Sequence, residues 1–173
     1  MRLSGSGGQG MILASVIMSE AIGASDQRNV VQSQSYGPEA RGGASKADVV
    51  ISENEIYYPK AMNLDLLLAM TQESLDAYYG QLKDDGLLIV DTTLVTDIKA
   101  EKYYGLPFTR LAREEAGHIM VANVIALATI ASLTNIVTRE KLTEAVLKRA
   151  PKRAADKNLK AIEIGYAEAE KLK

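Results

Sequence analysis

Apolar runs of strand length alternate along this chain with longer stretches that have helical spacing. The strand-like runs lie at 2–4, 30–35, 47–52, 64–70 and 87–91, and a last one is expected at 108–111, after Pro107. Strands that alternate with helices pair mainly in parallel and are covered by helices on both faces. The pattern therefore predicts a three-layer, Rossmann-like α/β fold with a mostly parallel sheet and a helical C-terminal segment.

The predicted helices occupy 11–24, 72–82, 114–134, 138–150 and 154–172. The first and third are apolar around nearly their whole circumference, which indicates cover on more than one side and favours self-association of the isolated chain. Thr138 is a suitable N-cap for the fourth helix, and Pro151 ends it. Between the second helix and the strand at 87–91, Asp84-Asp85-Gly86 predicts a turn.

The composition limits the partners that the chain can have. Its 173 residues fit one domain over 1–173, because domains contain roughly 100–200 residues. Lys and Arg number 20 against 22 Asp and Glu, so the net charge is −2 and no nucleic-acid partner is expected. The apolar run 119–133 contains Asn123 and is shorter than the ~20 residues that cross a bilayer. We expect a cytoplasmic protein without membrane contact.

Residues that usually carry catalysis are scarce in this chain. The absence of Cys excludes disulfides, thiolate zinc sites, cysteine nucleophiles and Cys-ligated iron–sulfur clusters within it. A multi-histidine metal site is excluded because His118 is the one histidine. His118 is expected to cap a helix or to be solvated, and Asn123 to bond a neighbouring loop. The sequence predicts no catalytic residue and no metal ligand.

The first candidate site is a glycine-rich turn between the first strand and the first helix, where backbone N–H groups can cradle a phosphate. Its candidate cofactor-binding residues are Gly5, Gly7, Gly8, Gln9 and Gly10, in a G-x-G-x-x-G pattern. A dinucleotide site also requires a carboxylate at the end of the second strand, where this chain has Gln32-Ser33-Gln34-Ser35. A tight structural turn, a cofactor or partner contact, and true NAD binding all remain open.

The second candidate site is the loop between the strands at 30–35 and 47–52. Three glycines and one proline in eight residues argue against helix or strand, and Arg41 is the only cation of the loop. A guanidinium can bind a carboxylate or phosphate through two hydrogen bonds. An ordinary surface loop is the alternative. The candidate binding residues are Tyr36, Gly37, Pro38, Glu39, Arg41, Gly42 and Gly43.

Three segments, in this order and spacing, resemble the gamma subunit of the 2-oxoacid:ferredoxin oxidoreductases. They are SGSGGQG at 4–10, SYGPEARGG at 35–43 and ADVVIS at 47–52. The resemblance extends over nearly the whole chain and includes Asp91, which follows the fifth strand. The loop at 36–43 and the segment EIYYP at 55–59 look most like those of the 2-oxoglutarate enzymes.

The resemblance implies a subunit that is inactive alone, in a complex that converts a 2-oxoacid to acyl-coenzyme A and CO₂ while reducing ferredoxin. Thiamine diphosphate, Mg²⁺ and iron–sulfur clusters would belong to alpha, beta and delta-type (ferredoxin-like) subunits. The glycine turn and the Arg41 loop would contact coenzyme A, the co-substrate, or those subunits. A free-standing Rossmann-like nucleotide-binding enzyme and a pure scaffold subunit are the alternatives.

Overall fold

A computed structural model describes residues 1–24, 28–35 and 44–173 of the chain. Its described residues form one six-stranded sheet in the order β2-β3-β1-β4-β5-β6. The strands are β1 (Arg2–Ser6), β2 (Asn29–Ser35), β3 (Ala44–Ser52), β4 (Leu64–Ala69), β5 (Leu82–Asp91) and β6 (Tyr104–Leu106). β1, β4, β5 and β6 pair in parallel, whereas β3 is antiparallel to both of its neighbours.

Helices cover both faces of this sheet. They are α1 (Met11–Gly23), α2 (Gln72–Tyr78), α3 (Phe108–Glu114), α4 (Ala122–Thr134), α5 (Arg139–Arg149) and α6 (Ala155–Glu170). The larger core joins one face of the sheet to α1, α3, α4, α5 and α6, and a smaller core under α2 contains Leu75 and Val95. The predicted three-layer α/β fold is therefore confirmed, in a mixed sheet whose antiparallel part is the β2–β3–β1 side.

α4 is buried on every side by other parts of the same chain. All its residues from Ala122 to Ser132 are buried, and α6 packs closely along it. A Cβ atom at Gly165 of α6 would lie 2.6 Å from the Ala128 Cβ and closer still to the Ile125 carbonyl oxygen. The prediction of self-association assumed that this helix and the first one need a second chain for cover, and the structure removes that ground for this helix.

Two predictions for the second half of the sheet are wrong. Residues 108–111 begin α3 instead of forming a strand, because Pro107 stands at the N-cap and Phe108 and Leu111 turn to the same buried side. The last strand is β6, which lies just before Pro107. The expected turn at Asp84-Asp85-Gly86 lies within β5, where the pairing register with β4 shifts after Leu64.

The helix predicted at 114–134 is interrupted. α3 ends at Glu114, Gly117 has a φ of 73°, and a 3-10 turn over Ile119–Val121 precedes α4. The predicted helices on either side of Pro151 are confirmed, and the Thr138 side chain caps α5 by accepting a hydrogen bond from the Lys141 N–H at 3.3 Å. Over the ranges that the structure describes, no helix has the length and apolar character that crossing a membrane requires.

Candidate functional site

The glycine turn connects the buried end of β1 to α1. Gly8 and Gly10 have φ values of 94° and 74°. Glycine is favoured in this region because a glycine residue has no Cβ atom. Gly7 and Gly8 are exposed, and Gly10 is the N-cap of α1, with no side-chain cap from the described residues. The N–H groups of the first turn of α1 are thus available to an anion, and the helix dipole favours negative charge there.

Gln9 and Gly5 shape this turn from within. The Gln9 side-chain oxygen accepts a hydrogen bond from the Ser6 N–H at 2.8 Å, and the Gln9 N–H donates to the Ser6 carbonyl at 3.3 Å. A Cβ atom at Gly5 would collide with the Gln9 side-chain oxygen and lie 3.1 Å from the Met70 Cβ. These two candidate residues therefore position the exposed glycines, which are better placed to meet a ligand.

Asn123 supports the turn from α4, as the sequence predicted. Its Nδ2 donates to the Gly10 carbonyl at 3.2 Å, and a Cβ atom at Gly10 would lie 2.6 Å from that nitrogen. Asn123 is buried, and its Oδ1 has no hydrogen-bond partner among the described residues. His118 is exposed, and its Nδ1 accepts a hydrogen bond from the Met120 N–H at 3.2 Å, which confirms its expected capping role.

The sheet topology separates the glycine turn from any dinucleotide-type ribose contact. In dinucleotide-binding folds the second strand lies beside the first and carries the carboxylate that holds the ribose. Here β3 stands between β1 and β2, and β2 ends at Ser35. The glycine turn therefore has no neighbouring strand that carries a ribose-binding carboxylate, which the NAD interpretation requires.

The Arg41 loop, residues 36–43, lies outside the described residues, but the residues that flank it, Ser35 and Ala44, are described. Ser35 pairs with Lys46, Ser6 pairs with Ala44, and the Ser45 hydroxyl donates to the Gly5 carbonyl at 3.1 Å. Since Ala44 directly follows Gly43, the chain enters β3 beside the residue where the glycine turn begins. The two candidate segments therefore meet the sheet at the same edge.

A charged cluster that the sequence did not reveal lies at the other end of β1, around Arg2. Arg2 forms a two-point ion pair with Asp48, at 2.7 Å and 2.9 Å, and also donates to the Gln81 side-chain oxygen at 2.5 Å. The Tyr78 ring lies 5.0 Å from the Arg2 guanidinium carbon and 5.2 Å from the Lys46 Nζ. Both Arg2 and Asp48 are buried, so the pair ties β1 to β3.

Of the two cations in this cluster, Arg2 is fully buried and Lys46 is only half-buried. Burial lowers the pKa of its ammonium, the Arg2 charge lowers it further, and Asp48 opposes the shift. Burial likewise raises the pKa of the Tyr78 hydroxyl, while Arg2 opposes that change. Lys46 adds a cation close to the point where the Arg41 loop rejoins the sheet.

Asp91, part of the family resemblance, is a structural residue. It is buried at the end of β5, accepts hydrogen bonds from the Thr93 N–H at 2.9 Å and the Thr109 N–H at 3.1 Å, and also accepts one from the Thr109 hydroxyl. Its carboxylate thereby joins β5 to α3. Across the part of the chain that the structure describes, no group of three or more His, Asp or Glu could hold a metal ion.

Comparison with known proteins identifies relatives over the whole chain. The family model for pyruvate ferredoxin/flavodoxin oxidoreductase matches residues 1–168. The 2-oxoglutarate synthase subunit KorC of Methanocaldococcus jannaschii is 45% identical over 99% of this chain and 94% of its own length. The KorC subunit of Methanothermobacter thermautotrophicus is 42% identical over 95% and 92%.

A solved structure agrees with these sequence matches. The gamma subunit of a keto/oxoacid ferredoxin oxidoreductase from Geobacter sulfurreducens superposes with a TM-score of 0.86 and 44% identity, covering 98% of this chain and 97% of that one. The resemblance inferred from the glycine turn, the Arg41 loop and the ADVVIS strand is thereby confirmed. The chain belongs to the pyruvate ferredoxin/flavodoxin oxidoreductase family.

Proposed function

We propose that this chain is the gamma subunit of a 2-oxoglutarate:ferredoxin oxidoreductase and works only in complex with its partner subunits. One observation carries the proposal. The chain is 45% and 42% identical to two KorC subunits of 2-oxoglutarate synthase, and each alignment covers nearly the full length of this chain and of the KorC subunit. The overall reaction would convert 2-oxoglutarate and coenzyme A to succinyl-coenzyme A and CO₂, with two electrons passed to ferredoxin. A free-standing nucleotide-dependent enzyme has no comparable support.

The resident cofactors of such an enzyme belong, in this proposal, to the other subunits. Thiamine diphosphate with Mg²⁺ supplies the decarboxylation chemistry, and iron–sulfur clusters carry the electrons. This chain contains no Cys, so it has no thiolate for a cluster. We assign these groups to the alpha, beta and delta-type subunits, with ferredoxin as the electron acceptor.

The task proposed for this chain is to bind the anionic part of coenzyme A. The N–H groups at the start of α1, the Lys46 ammonium and the Arg41 guanidinium would supply positive charge around one edge of the sheet. The support is topological, since Gly5 and Ser6 pair with Ser45 and Ala44, directly after the Arg41 loop. Phosphate groups suit such a set of donors better than the uncharged parts of coenzyme A do.

Reconstitution tests the function. The purified chain alone should not reduce ferredoxin with 2-oxoglutarate and coenzyme A, whereas the complex with its partner subunits should, and omission of this chain should abolish that activity. Pyruvate in place of 2-oxoglutarate should be a poor substrate. A partner complex that is fully active without this chain would contradict the proposal.

The coenzyme A assignment needs a separate measurement. In the assembled complex, Arg41→Lys and Lys46→Gln should each raise the KM for coenzyme A several-fold and leave the KM for 2-oxoglutarate unchanged. Lys99→Gln is the matched control, because Lys99 is an exposed cation whose side chain has 83% of its surface accessible. An unchanged KM for coenzyme A in both variants, with full assembly, would favour a purely scaffolding subunit.

A further inference from the structure

An open cleft lies between four helices, and we call it the basic cleft. It has a volume of about 610 Å³, and its walls come from α1, α4, α5 and α6 and from the 3-10 turns Ile119–Val121 and Lys152–Ala154. Gly10 of the glycine turn also lines it. Ile17, Val121 and Val146 belong to its apolar floor, and Leu13 and Met120 stand on its rim with 45% and 53% of their surfaces exposed. Exposed apolar side chains grouped around a recess are typical of a surface that another molecule covers.

The charged groups that line the basic cleft are all basic. Arg149, Arg153 and Lys157 lie along it, and none of its described lining residues is acidic. Glu20, which lies outside the lining, neutralises Arg149 through a two-point ion pair. Within the described residues, Arg153 has no ion pair, and Lys157 reaches only the Gly117 carbonyl, at 3.4 Å.

This charge distribution sets the basic cleft apart from the other large recesses. Each of the others has acidic and basic lining residues together: the cleft of about 590 Å³ has Glu53 and Asp65 with cations, that of about 440 Å³ has Asp85 and Glu101 with Lys102, and that of about 300 Å³ has Asp76 and Asp97 with Lys99. The chain as a whole carries a net charge of −2. Two uncompensated cations beside an apolar floor therefore indicate an occupant that is both acidic and apolar.

A third feature of the basic cleft concerns hydrogen bonding. Asn123 lines it, and Asn123 Oδ1 is buried with no hydrogen-bond partner among the described residues. A buried acceptor without a donor costs free energy, which an N–H group that reached it on docking would recover. Polypeptide backbones supply such donors at regular intervals.

We propose that the basic cleft seats a segment of a neighbouring subunit in which carboxylates stand beside apolar side chains. The inference rests on the proposed function, because it assumes that the chain assembles with partner subunits. A polypeptide fits better than a small molecule, since small-molecule sites bury most of their ligand, whereas Leu13 and Met120 stand on the rim and need a surface laid over them. Carboxylates opposite Arg153 and Lys157 would fix the register of docking.

Charge reversal tests the docking on the full chain, co-expressed with its partner subunits. The cleft variant combines Arg153→Glu and Lys157→Glu, and the control combines Lys152→Glu and Lys160→Glu. Lys152 lies with Arg153 in the 3-10 turn Lys152–Ala154, and Lys160 lies with Lys157 in α6. Both control residues are exposed, do not line the cleft and give the same change in net charge. We expect the cleft variant to weaken assembly at least tenfold at physiological salt, and the control less than threefold, by sedimentation of the purified complex.

The substitution Met120→Ser tests whether the apolar residues of the basic cleft contribute to docking, and Met62→Ser is its control. Both side chains are more than half exposed, so neither change should affect folding, but only Met120 lines the basic cleft. Equal assembly of the cleft and control variants would overturn the inference. So would normal assembly of the charge-reversal cleft variant with a raised KM for coenzyme A, which would make the cleft a small-anion site. Failure of the unaltered chain to assemble would refute the proposed function itself, and the inference with it.

Discussion

The contact between α4 and α6 leads to a quantitative prediction for Gly165→Ala. The added Cβ atom would lie 2.6 Å from the Ala128 Cβ and closer to the Ile125 carbonyl oxygen, whereas ordinary contact begins at 3.4 Å. The two helices must therefore separate by nearly 1 Å. The hydrogen bond from the Thr129 hydroxyl to the Gly165 carbonyl, at 3.2 Å, would be strained in the same movement.

The expected cost follows from opposing terms. A gap of 0.5–1 Å forfeits a quarter to a half of the dispersion energy between facing atoms, and overpacking a core typically costs about 1–3 kcal/mol. We expect the overpacking cost at Gly165 to lie at or slightly above the upper end of that range, because the backbone carbonyl of Ile125 cannot rotate away. The higher helix propensity of alanine offsets ~1 kcal/mol of this cost. The net loss in unfolding free energy should be about 2 kcal/mol, or roughly 4–8 °C in melting temperature for a chain of this size.

Thermal and urea unfolding, followed by circular dichroism, measure this loss. Gly23→Ala is the matched control, because Gly23 is also helical, at the end of α1, and a Cβ atom there would meet nothing within 4 Å among the described residues. That change should leave stability unchanged or raise it by about 0.4–1 kcal/mol. If Gly165→Ala stabilised the chain as much as Gly23→Ala does, the close approach of α4 and α6 would be refuted.

Three further predictions concern buried and surface charges. Asp48→Asn should destabilise the isolated chain by about 3–5 kcal/mol in urea titrations, because Arg2 would remain buried without its counterion; Arg2→Met with Asp48→Leu should recover most of that loss. Asp91→Ala should cost about 2–4 kcal/mol in the same titration, since the donors it binds would be left unpaired; no loss would contradict its bracing role. The hydrogen bond from Arg149 lowers the pKa of Glu20, so its stabilisation is present above the usual Glu range and is lost as pH falls below it; Glu20→Gln should flatten the stability profile only in that acid range.

The sequence predicted correctly those features that depend on contacts between residues close together in the chain, such as helix caps and glycine turns. Thr138 caps α5 because its hydroxyl meets an N–H three residues away, and the glycine turn adopts left-handed backbone where Gly8 and Gly10 stand. The start of α3 was missed because a short apolar run at 108–111 fits a strand or a helix equally well, and only the tertiary bond to Asp91 decides.

The charged features of the candidate site depend on contacts between distant segments. Arg2 and Asp48 are 46 residues apart, so no sequence window reveals their ion pair. The basic cleft forms only where α1, α4, α5 and α6 converge, and its cations otherwise resemble an ordinary solvated helix face. The glycine turn and the Arg41 loop could be predicted as separate candidates, but their meeting at one sheet edge required the β1–β3 register.

The burial of α4 also has a consequence for the order of synthesis. The helix is apolar on every side, yet its principal cover, α6, is translated only after α5. A nascent chain that has emerged as far as residue 154 would therefore expose the α4 surface to solvent. Until the last turns of α6 leave the ribosome, we expect that surface to attract chaperones and to be prone to aggregation.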